Sequence, residues 1–432
     1  MSEDRPCHKD LQPPVSAKYV LKNEKSGLAD GTIVVTVDKD RNSATDIIPF
    51  WANEKGILPG FMPLYAFRIT GETTRFELSG NVIIPKGATK LFLFASDFDT
   101  SATTEQPFVI DLPKGAASDE NFGELVTEFQ VISDLHVAAD PTPFARILSD
   151  IIEISPDSIG LFIDGDITQC GADSEYQKFL EIYNSFKNAP DYYASIGNHD
   201  FYQAKAGRET RRQARERFLK VARYPDGKKP ESQHYDFWLS GYHFVFLGDD
   251  ETAGDYLSSA FNDETMEWLR SVLGSNRDAE RPIFLFHHQP IRYTVVGSFD
   301  DYDRLRDPDG IARRAVFTGL WGENAAKLRT VLKDFPEVIL FSGHQHISLG
   351  YPNTVKLRDN ELPTIVNTAS ASQAATIRDH IKEKGKGSEG FYVYVYKDKI
   401  ILRGRDFKAK KWIPSAQFCV YTGKGEDHEN SL

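Results

Sequence analysis

The sequence predicts a mixed α/β domain that follows an all-β domain with the outline of an immunoglobulin-like sandwich. Three observations lead to this prediction. Between residues 15 and 113, short segments rich in β-branched and aromatic residues alternate with turn residues, as in a sandwich. Residues 114–123 are small and polar and predict a linker. From residue 124 to residue 421, strand-like and helix-like segments alternate, which is typical of an α/β layered domain.

Composition indicates an ordinary globular protein. The chain has 432 residues, of which 40% are hydrophobic and 26% are charged, so it is long enough for two domains with cores of their own. The formal net charge of -12 argues against nonspecific nucleic-acid binding, because such proteins carry a basic surface that neutralises phosphates. The three cysteines are far apart and fit neither a disulfide framework nor a zinc finger. Any metal site is therefore expected to use nitrogen and oxygen ligands.

Both ends of the chain are polar. Residues 1–14 contain Pro13 and Pro14 and predict a flexible arm, and residues 422–432 predict a disordered tail. The first residues lack a basic segment followed by an apolar core, so they do not resemble a signal peptide. No run of eighteen apolar residues is present, which predicts no membrane insertion. The default expectation is a cytoplasmic protein, although a chain whose leader had been removed would look the same.

The predicted strands of the all-β domain are separated by glycine-containing turns. These strands lie at 32–37, 65–69, 75–78, 90–94 and 108–112. Their aromatic residues favour core packing over a ligand surface. A carbohydrate or a protein could bind this domain, but the sequence does not identify such a partner.

The α/β domain is predicted from alternating periodicities. Its first elements are strands at 129–132, 159–163 and 192–196, with helices around 144–151 and 176–183 between them. A hairpin of 391–396 and 400–402 is expected to complete a second sheet. In such domains, ligands bind at the carboxyl ends of the strands. Polar side chains at those ends are therefore the candidate ligands.

Polar motifs follow five of the predicted strands. They are Ser133-Asp134-Leu135-His136, Asp164-Gly165-Asp166, Gly197-Asn198-His199-Asp200, His287-His288-Gln289-Pro290 and Gly343-His344-Gln345-His346. A single histidine pair near a strand end more often makes ordinary hydrogen bonds than binds metal. However, six of the eleven histidines lie in four of these motifs. Together, their carboxylate, imidazole and amide groups suit two divalent transition metals.

Two other polar segments keep alternative interpretations. Asp249 and Asp250 follow a core strand at 242–247, and a position beside the metals and one in a surface loop fit them equally well. The segment 293–321 is rich in aspartate, tyrosine and arginine. It fits a loop over the site and a merely solvated insertion about equally.

The ordered set of Asp-x-His, Gly-Asp, Gly-Asn-His-Asp, His-His and Gly-His-x-His resembles the calcineurin-like metallophosphoesterase family. The resemblance covers about residues 125 to 407 and implies a four-layer α/β/β/α domain. The ligands that it implies are Asp134, His136 and His346 for the first metal, Asn198, His287 and His344 for the second, and Asp166 as the bridge between them. His288 is an alternative to His287, because the proline of this motif falls one place later than in the more usual form.

The same resemblance implies how the site would work. His199 is expected to protonate the leaving group or to stabilise charge there, with Asp200 orienting its imidazole, and Asp164 is expected to support the ligands. In this family, a hydroxide that bridges two metal ions attacks phosphorus in line. The two transition-metal ions are expected to be iron, manganese or zinc, which these ligand types do not distinguish.

Subfamily features bear on the substrate. Purple acid phosphatases, which the N-terminal sandwich resembles in arrangement, carry a tyrosine three residues after the bridging aspartate, where this chain has Gln169. The Gly-Asn-His-Asp form with a histidine doublet is more similar to cyclic-nucleotide and glycerophosphodiester phosphodiesterases. We therefore expect a metal-dependent hydrolase of a small phosphate ester, with a phosphodiester favoured over a phosphomonoester. The alternative is a non-catalytic binding scaffold, but such relatives typically lose ligands, and here every ligand position is filled.

Overall fold

The computed structural model describes most of the chain. The described residues are 11–422, except 25, 41, 65–66, 79–80, 98–101, 139, 251–258, 299–318, 321, 352, 376, 379–380 and 383–386. Some predictions fall outside them. These concern most of the N-terminal arm (1–10), the start of the strand predicted at 65–69, most of the polar segment 293–321 and nearly all of the C-terminal tail (423–432).

The chain divides into two compact units. The first contains Met1–Phe122 and Lys411–Cys419, and the second contains Gly123–Lys410 and Val420–Leu432. The predicted domain of residues 124–421 differs from this division, because 411–419 belong to the first unit. Within that unit, Trp412 is bridged to Phe61 and Phe418 to Val82. Pairing between such distant segments leaves no local pattern in the sequence.

The first unit is rich in antiparallel strands. Its strands are β1 (Ser16–Leu21), β2 (Gly31–Thr36), β3 (Asp46–Asn53), β4 (Gly56–Ile57), β5 (Phe67–Arg68), β6 (Thr73–Leu78), β7 (Lys90–Asp97), β8 (Ala102–Thr103) and β9 (Phe108–Asp111). Among the described residues, one sheet has the order β1-β2-β6, and another has the order β4-β3-β7-β8, with β5 paired to β3 and β9 to β7. Ile33 and Val35 of β2 are buried between partly exposed neighbours, as in a strand with one face on a core. The rings of Phe67 and Phe76, one from each sheet, lie 4.6 Å apart, so the sheets pack together.

The second unit alternates strands and helices. Its strands are β10 (Leu125–Ile132), β11 (Leu161–Asp164), β12 (Tyr192–Ser195), β13 (Tyr235–Leu239), β14 (Tyr242–Phe246), β15 (Ile283–Phe286), β16 (Val338–Ser342), β17 (Val355–Lys356), β18 (Thr364–Asn367), β19 (Ile377–Arg378), β20 (Ile381–Lys382), β21 (Glu389–Tyr396) and β22 (Lys399–Asp406), and the last strand, β23 (Lys411–Tyr421), begins in the first unit. Its helices are α1 (Thr142–Ile154), α2 (Asp173–Asn184), α3 (Tyr202–Lys205), α4 (Arg211–Leu219), α5 (Asp263–Gly274) and α6 (Gly322–Leu332). The predicted mixed α/β character is confirmed.

Two sheets form the centre of this unit in the described ranges. The first includes the order β12-β11-β10-β21-β22, in which β10, β11 and β12 are parallel. The second has the order β13-β14-β15-β16-β18-β17, in which β14, β15, β16 and β18 are parallel. Because parallel strands end at the same edge of a sheet, the loops after them lie next to each other.

Aromatic side chains join the two sheets face to face. The ring of Phe129 in β10 lies 4.8 Å from that of Phe284 in β15. The ring of Phe162 in β11 lies 4.5 Å from that of Phe244 in β14. All four side chains are fully buried. Since successive side chains of a strand point to opposite faces, the residues between them are available for contacts with helices.

Helices cover the outer face of each sheet. The ring of Phe179 in α2 lies 4.9 Å from Tyr192 of β12 and stacks on Phe144 of α1 at 4.9 Å. On the second sheet, Leu285 and Leu340 belong to a buried cluster that includes residues of α5 and α6. The layers therefore follow the order helix, sheet, sheet, helix. No helix within the described ranges is long and apolar enough to cross a membrane.

Candidate metal centre

Six carboxylate and imidazole side chains meet where parallel strands of the second unit end, within the described part of the chain. One set consists of Asp134, His136, Asp166 and His346, and the other of Asp166, His288 and His344. In each set, one potential ligand atom per residue lies within 4.8 Å of the others. Asp166 belongs to both sets. Its carboxylate is therefore placed to bridge two ions.

The first set is formed by loops that follow β10, β11 and β16. His346 Nε2 lies 2.9 Å from Asp134 Oδ1 and 2.9 Å from His136 Nε2. His136 Nε2 lies 3.7 Å from the same Asp134 oxygen and 3.8 Å from Asp166 Oδ2. The other oxygen of Asp134 accepts a hydrogen bond from the backbone N–H of His344 at 2.9 Å. Asp134 thus has one oxygen held by the protein and the other directed at the imidazoles.

The second set brings two imidazoles and an amide to Asp166. His288 Nε2 lies 3.2 Å from Asp166 Oδ2, and His288 Nδ1–H donates to the carbonyl of Asp164 at 2.7 Å. This hydrogen bond selects the tautomer in which Nε2 directs a lone pair at the carboxylate. Asn198 Oδ1 lies 2.7 Å from His344 Nδ1, so the predicted amide ligand lies beside the same set.

Several buried atoms of this site have no hydrogen-bond partner among the described residues. They include Asp134 Oδ1, Asp166 Oδ2, His288 Nε2 and His344 Nε2. Leaving such an atom buried and unpaired costs about 1–3 kcal/mol. A cation that accepts these lone pairs would remove the cost, and nitrogen and oxygen donors without thiolate suit iron, manganese or zinc. The residues present therefore fit the two transition-metal ions that the sequence predicts.

The charges of the site also favour cations. Burial by itself would raise the pKa of Asp134, but His346 and His288 hold this pKa well below its usual value. Burial by itself would lower the pKa of His288, but Asp166 and Asp134 raise this pKa well above its usual value. Both shifts reflect the negative charge of the buried carboxylates, which a metal ion at His288 Nε2 would balance in place of a proton. Carboxylates that remain ionised while buried attract positive charge into the site.

Five predicted ligands have a left-handed backbone. The φ angles are 51° at Asp134, 47° at His136, 50° at Asp166, 68° at His344 and 56° at His346. This region is uncommon for residues with a Cβ and costs about 1–2 kcal/mol per residue. Such strain persists only where the surrounding structure imposes it. Here the N–H of His136 donates to the carbonyl of Asp166 at 3.0 Å, which ties two of the strained loops together.

Two glycines let loops approach the carboxylates closely. A Cβ at Gly197 would lie 2.2 Å from Asp166 Oδ1. A Cβ at Gly343 would lie 1.9 Å from Ser133 Oγ and 2.6 Å from Asp134 Oδ2. Since any side chain would displace these oxygens, the glycines of the Gly-Asn-His-Asp and Gly-His-x-His motifs are required by packing.

Serines around Asp134 are contributors that sequence reasoning missed. The hydroxyl of Ser133 lies 2.7 Å from Asp134 Oδ2 and 2.6 Å from the carbonyl oxygen of Asp164. Ser370 Oγ and Ser372 Oγ donate to the carbonyl of Asp134 at 2.8 and 3.2 Å. These contacts hold the strained backbone of Asp134. A serine beside a motif forms no pattern of its own, so the sequence contained no signal for this role.

The structure places His287, the predicted ligand, outside both ligand sets. Its Nδ1–H donates to the carbonyl of Leu247 at 2.8 Å, and its Nε2 lies 3.1 Å from Ser259 Oγ. Burial lowers the pKa of His287 to about 3, so its imidazole is neutral. His288, the alternative, occupies the ligand set instead.

Strand alternation explains the correction. The ladder of β15 continues beyond Phe286, because the N–H of His287 donates to the carbonyl of Phe341 at 3.1 Å. His287 therefore points to the same face as Leu285, towards the helices. His288 points to the opposite face, where it meets the loop that follows β11.

His199 lies beside the first set. Its ring meets that of His136 edge to face, with centroids 4.6 Å apart. Its Nδ1 lies 2.6 Å from the carbonyl oxygen of Gln169, and its N–H donates to Asp166 Oδ1 at 2.7 Å. A backbone carbonyl in the loop after β11 therefore positions the imidazole. Any residue type can supply a carbonyl, so this contact could not be read from the sequence.

Asp200, which was predicted to orient the imidazole of His199, directs its carboxylate into the core of the second unit. The carboxylate of Asp200 is buried and accepts hydrogen bonds from Thr168, Tyr176 and Gly197. The physical reason is local. His199–Phe201 form a short 3-10 helix, in which successive side chains diverge, so Asp200 points into the core.

The other aspartates predicted near the site lie around the ligand sets. Asp164 is buried, and burial raises its pKa to about 8. Asp249 accepts a hydrogen bond from Gln289 Nε2 at 3.2 Å, and burial raises its pKa to about 6. Asp250 Oδ2 accepts a hydrogen bond from the N–H of Asn262 at 2.7 Å, at the start of α5. Asp249 and Asp250 are both buried, so the surface-loop interpretation is wrong.

A family match and several similar structures relate this site to known proteins. Residues 128–348, just over half of the chain, match the family described as calcineurin-like phosphoesterase. No curated protein matches the sequence. Similar solved structures include a dimetal phosphatase from Danio rerio, with 14% identity and a TM-score of 0.45, covering 69% of this chain and 100% of that chain.

Two further similar structures come from a plant and a parasite. A purple acid phosphatase from yellow lupin (Lupinus luteus) seeds has 14% identity and a TM-score of 0.47, covering 95% of this chain and 74% of that chain. GAP50, described as the anchor in the inner membrane complex of Plasmodium, has 12% identity and a TM-score of 0.42, covering 69% of this chain and 89% of that chain. The region of the family match contains every residue of the candidate metal centre, and this chain belongs to the calcineurin-like phosphoesterase family.

Proposed function

We propose that this chain hydrolyses a small phosphate ester at a centre of two metal ions. The observation that supports this most directly is the pair of ligand sets that share Asp166. Asp134, His136 and His346 would hold one ion, Asn198, His288 and His344 the other, and Asp166 both. When bound, the ions supply positive charge to the phosphate oxygens and acidify a water molecule.

His199 is proposed to hold and deliver a proton. Its Nδ1 is held by the carbonyl of Gln169, so the proton that the imidazole delivers would be the one on Nε2. The ring lies beside His136 of the first ligand set and is partly exposed, so a substrate bound at the metals can reach it. Transfer of this proton to the leaving oxygen is general acid catalysis.

We propose a phosphodiester ahead of a phosphomonoester as substrate. The Gly-Asn-His-Asp form and the histidine doublet support this choice, because both are similar to motifs of phosphodiesterases. Gln169 stands where purple acid phosphatases carry a tyrosine, which argues against a centre of their type.

A metal and substrate panel tests the proposal. Protein stripped of metal is reconstituted with manganese, iron or zinc and assayed with bis(p-nitrophenyl) phosphate and p-nitrophenyl phosphate. We expect two metal equivalents per chain and faster hydrolysis of the diester. Asp166→Asn, which weakens the shared carboxylate, should lower kcat at least about a hundredfold. Hydrolysis of neither ester with any metal would refute the enzyme, and less than one metal equivalent would favour a binding scaffold.

A further inference from the structure

A buried hydrogen-bond network links helix α2 to the turn that carries His199. Asp200 lies at its centre. Asp200 Oδ1 accepts hydrogen bonds from Thr168 Oγ1 at 2.8 Å, from Thr168 N–H at 3.2 Å and from Tyr176 Oη at 2.9 Å. Asp200 Oδ2 accepts a hydrogen bond from Gly197 N–H at 3.0 Å. The carboxylate therefore joins the loop after β11, the loop after β12 and α2.

This network determines where the carbonyl of Gln169 lies. Thr168, the residue before it, is bonded to Asp200 through both its N–H and its hydroxyl. The hydroxyl of Thr168 also accepts the N–H of Gly171 at 3.0 Å, two residues after Gln169. Gln169 is thus enclosed between two fixed residues. Its carbonyl oxygen lies 2.6 Å from Nδ1 of His199, so a shift of Thr168 would move the imidazole.

Tyr176 completes the network from the helix. Its side chain is 3% exposed, and its hydroxyl is bonded to Asp200 rather than directed to solvent. A phenylalanine has the same ring without the hydroxyl. The specific contribution of tyrosine here is therefore the hydrogen bond to the carboxylate.

We infer that Tyr176 and Thr168 are positioning residues for His199, acting through Asp200 and the carbonyl of Gln169. The inference rests on the proposed function, in which His199 protonates the leaving oxygen. In that step, the bond from phosphorus to the leaving oxygen breaks and its electron pair stays on that oxygen, which takes the proton from Nε2. The oxygen of a water molecule forms the new bond to phosphorus and loses a proton to solvent. Tyr176 and Thr168 lie outside both ligand sets, so they act on proton transfer and leave metal binding unchanged.

Leaving-group dependence distinguishes positioning from a purely structural role. The probes are methyl aryl phosphodiesters whose phenols range from p-nitrophenol to unsubstituted phenol. A poor leaving group needs the proton in the transition state, whereas p-nitrophenolate does not. For Tyr176→Phe we expect kcat about tenfold lower with the phenyl ester and nearly unchanged with the p-nitrophenyl ester. The KM and the metal content should not change.

The chain offers matched controls. Tyr183→Phe makes the same change on the same helix, and its hydroxyl donates to the carbonyl of Pro190 at 3.1 Å instead. It should leave kcat unchanged for every ester. Thr168→Val should reproduce the leaving-group effect of Tyr176→Phe. Thr168→Ser keeps the hydroxyl and should therefore have the kcat of the wild-type protein for every ester. If circular dichroism shows that Tyr176→Phe does not fold, the comparison of Thr168→Val with Thr168→Ser still provides the test.

A double variant decides whether the effect passes through His199. In a His199→Ala background, Tyr176→Phe should have no further effect on kcat, because the group that it positions is gone. An equal loss with all leaving groups, or an equal loss with and without His199, would overturn the inference. Absence of hydrolysis by the metal-loaded wild-type protein would instead refute the proposed function.

Discussion

Asparagine substitutions at the two adjacent histidines separate the proposed metal ligand from its neighbour. The amide nitrogen of asparagine occupies about the position of histidine Nδ1, so the donor is kept and Nε2 is removed. His288→Asn keeps the hydrogen bond to the carbonyl of Asp164 and loses the atom that lies 3.2 Å from Asp166 Oδ2. His287→Asn also keeps its donor and loses the contact with Ser259. We expect one metal equivalent in His288→Asn and two in His287→Asn.

The two substitutions should differ in what they weaken. His288→Asn removes a ligand from the second set, and kcat should fall at least about a hundredfold, which corresponds to about 3 kcal/mol in the activation barrier. His287→Asn leaves the buried hydroxyl of Ser259 without the imidazole acceptor. That change should lower the free energy of unfolding by about 1–2 kcal/mol, with kcat close to the wild-type value.

Three measurements check this pair. Elemental analysis gives metal per chain, hydrolysis of bis(p-nitrophenyl) phosphate at saturating metal gives kcat, and urea unfolding gives stability. If His287→Asn lost a metal equivalent while His288→Asn kept both, the assignment of the ligand would be reversed. If both variants kept two equivalents, the second ligand set would be wrong.

Three further predictions concern packing and charge in the second unit. Gly343→Ala should lose metal and activity in the same assays, because its Cβ would lie 1.9 Å from the buried hydroxyl oxygen of Ser133. The control Gly274→Ala should keep both, because no described atom lies within 4 Å of its Cβ. Burial raises the pKa of Glu389 from 4.5 to about 7. Between these two pH values the folded state binds more protons than the unfolded state. The free energy of unfolding should therefore fall by about 3 kcal/mol as the pH rises through this range. In urea titrations the slope should be smaller in Glu389→Gln than in wild type, although the raised pKa values of Asp164 and Asp249 leave a slope of the same sign, and equal slopes would contradict the prediction. Asp150→Asn removes the carboxylate charge that lies 2.8 Å from the buried guanidinium of Arg405 and should cost about 3–5 kcal/mol in urea unfolding, so a cost under about 1 kcal/mol would contradict the expectation.

Most of the candidate site could be predicted because its residues directly follow strands. Asp134 and His136 are two residues apart, as are His344 and His346, and all four lie in the ligand sets. Each pair lies in the loop directly after a strand, so the motif could be located from the sequence, but the left-handed backbone of all four residues, and not strand alternation, directs their side chains into the site. Their role as metal ligands stays a prediction until metal is measured.

The structure departs from the predictions where register or long-range pairing decides which residues meet. Whether His287 or His288 faces the site depends on where the ladder of β15 ends, and a shift of one residue exchanges the two faces. The direction of the Asp200 side chain depends on a 3-10 turn, and the geometry of that turn follows from neighbouring loops. The assignment of residues 411–419 to the first unit depends on their pairing with segments far away in the sequence. The immunoglobulin-like outline of the first unit stays a prediction, because the sequence indicated strands without their order.

The strained ligand loops place a requirement on the core of the second unit. Five left-handed ligand residues cost about 5–10 kcal/mol together, which is close to the net stability of a typical domain. The rings between the two sheets can offset this cost. Phe129, Phe162, Phe244 and Phe284 are fully buried, and burial of each contributes about 1.5–3 kcal/mol. Three of these rings lie in β10, β11 and β15, which continue directly into ligand loops, so loosening of the core there would relax the backbone of the site. The packed pair of sheets therefore holds the side chains in place before any metal binds, and metal binding adds to an arrangement that the core already imposes.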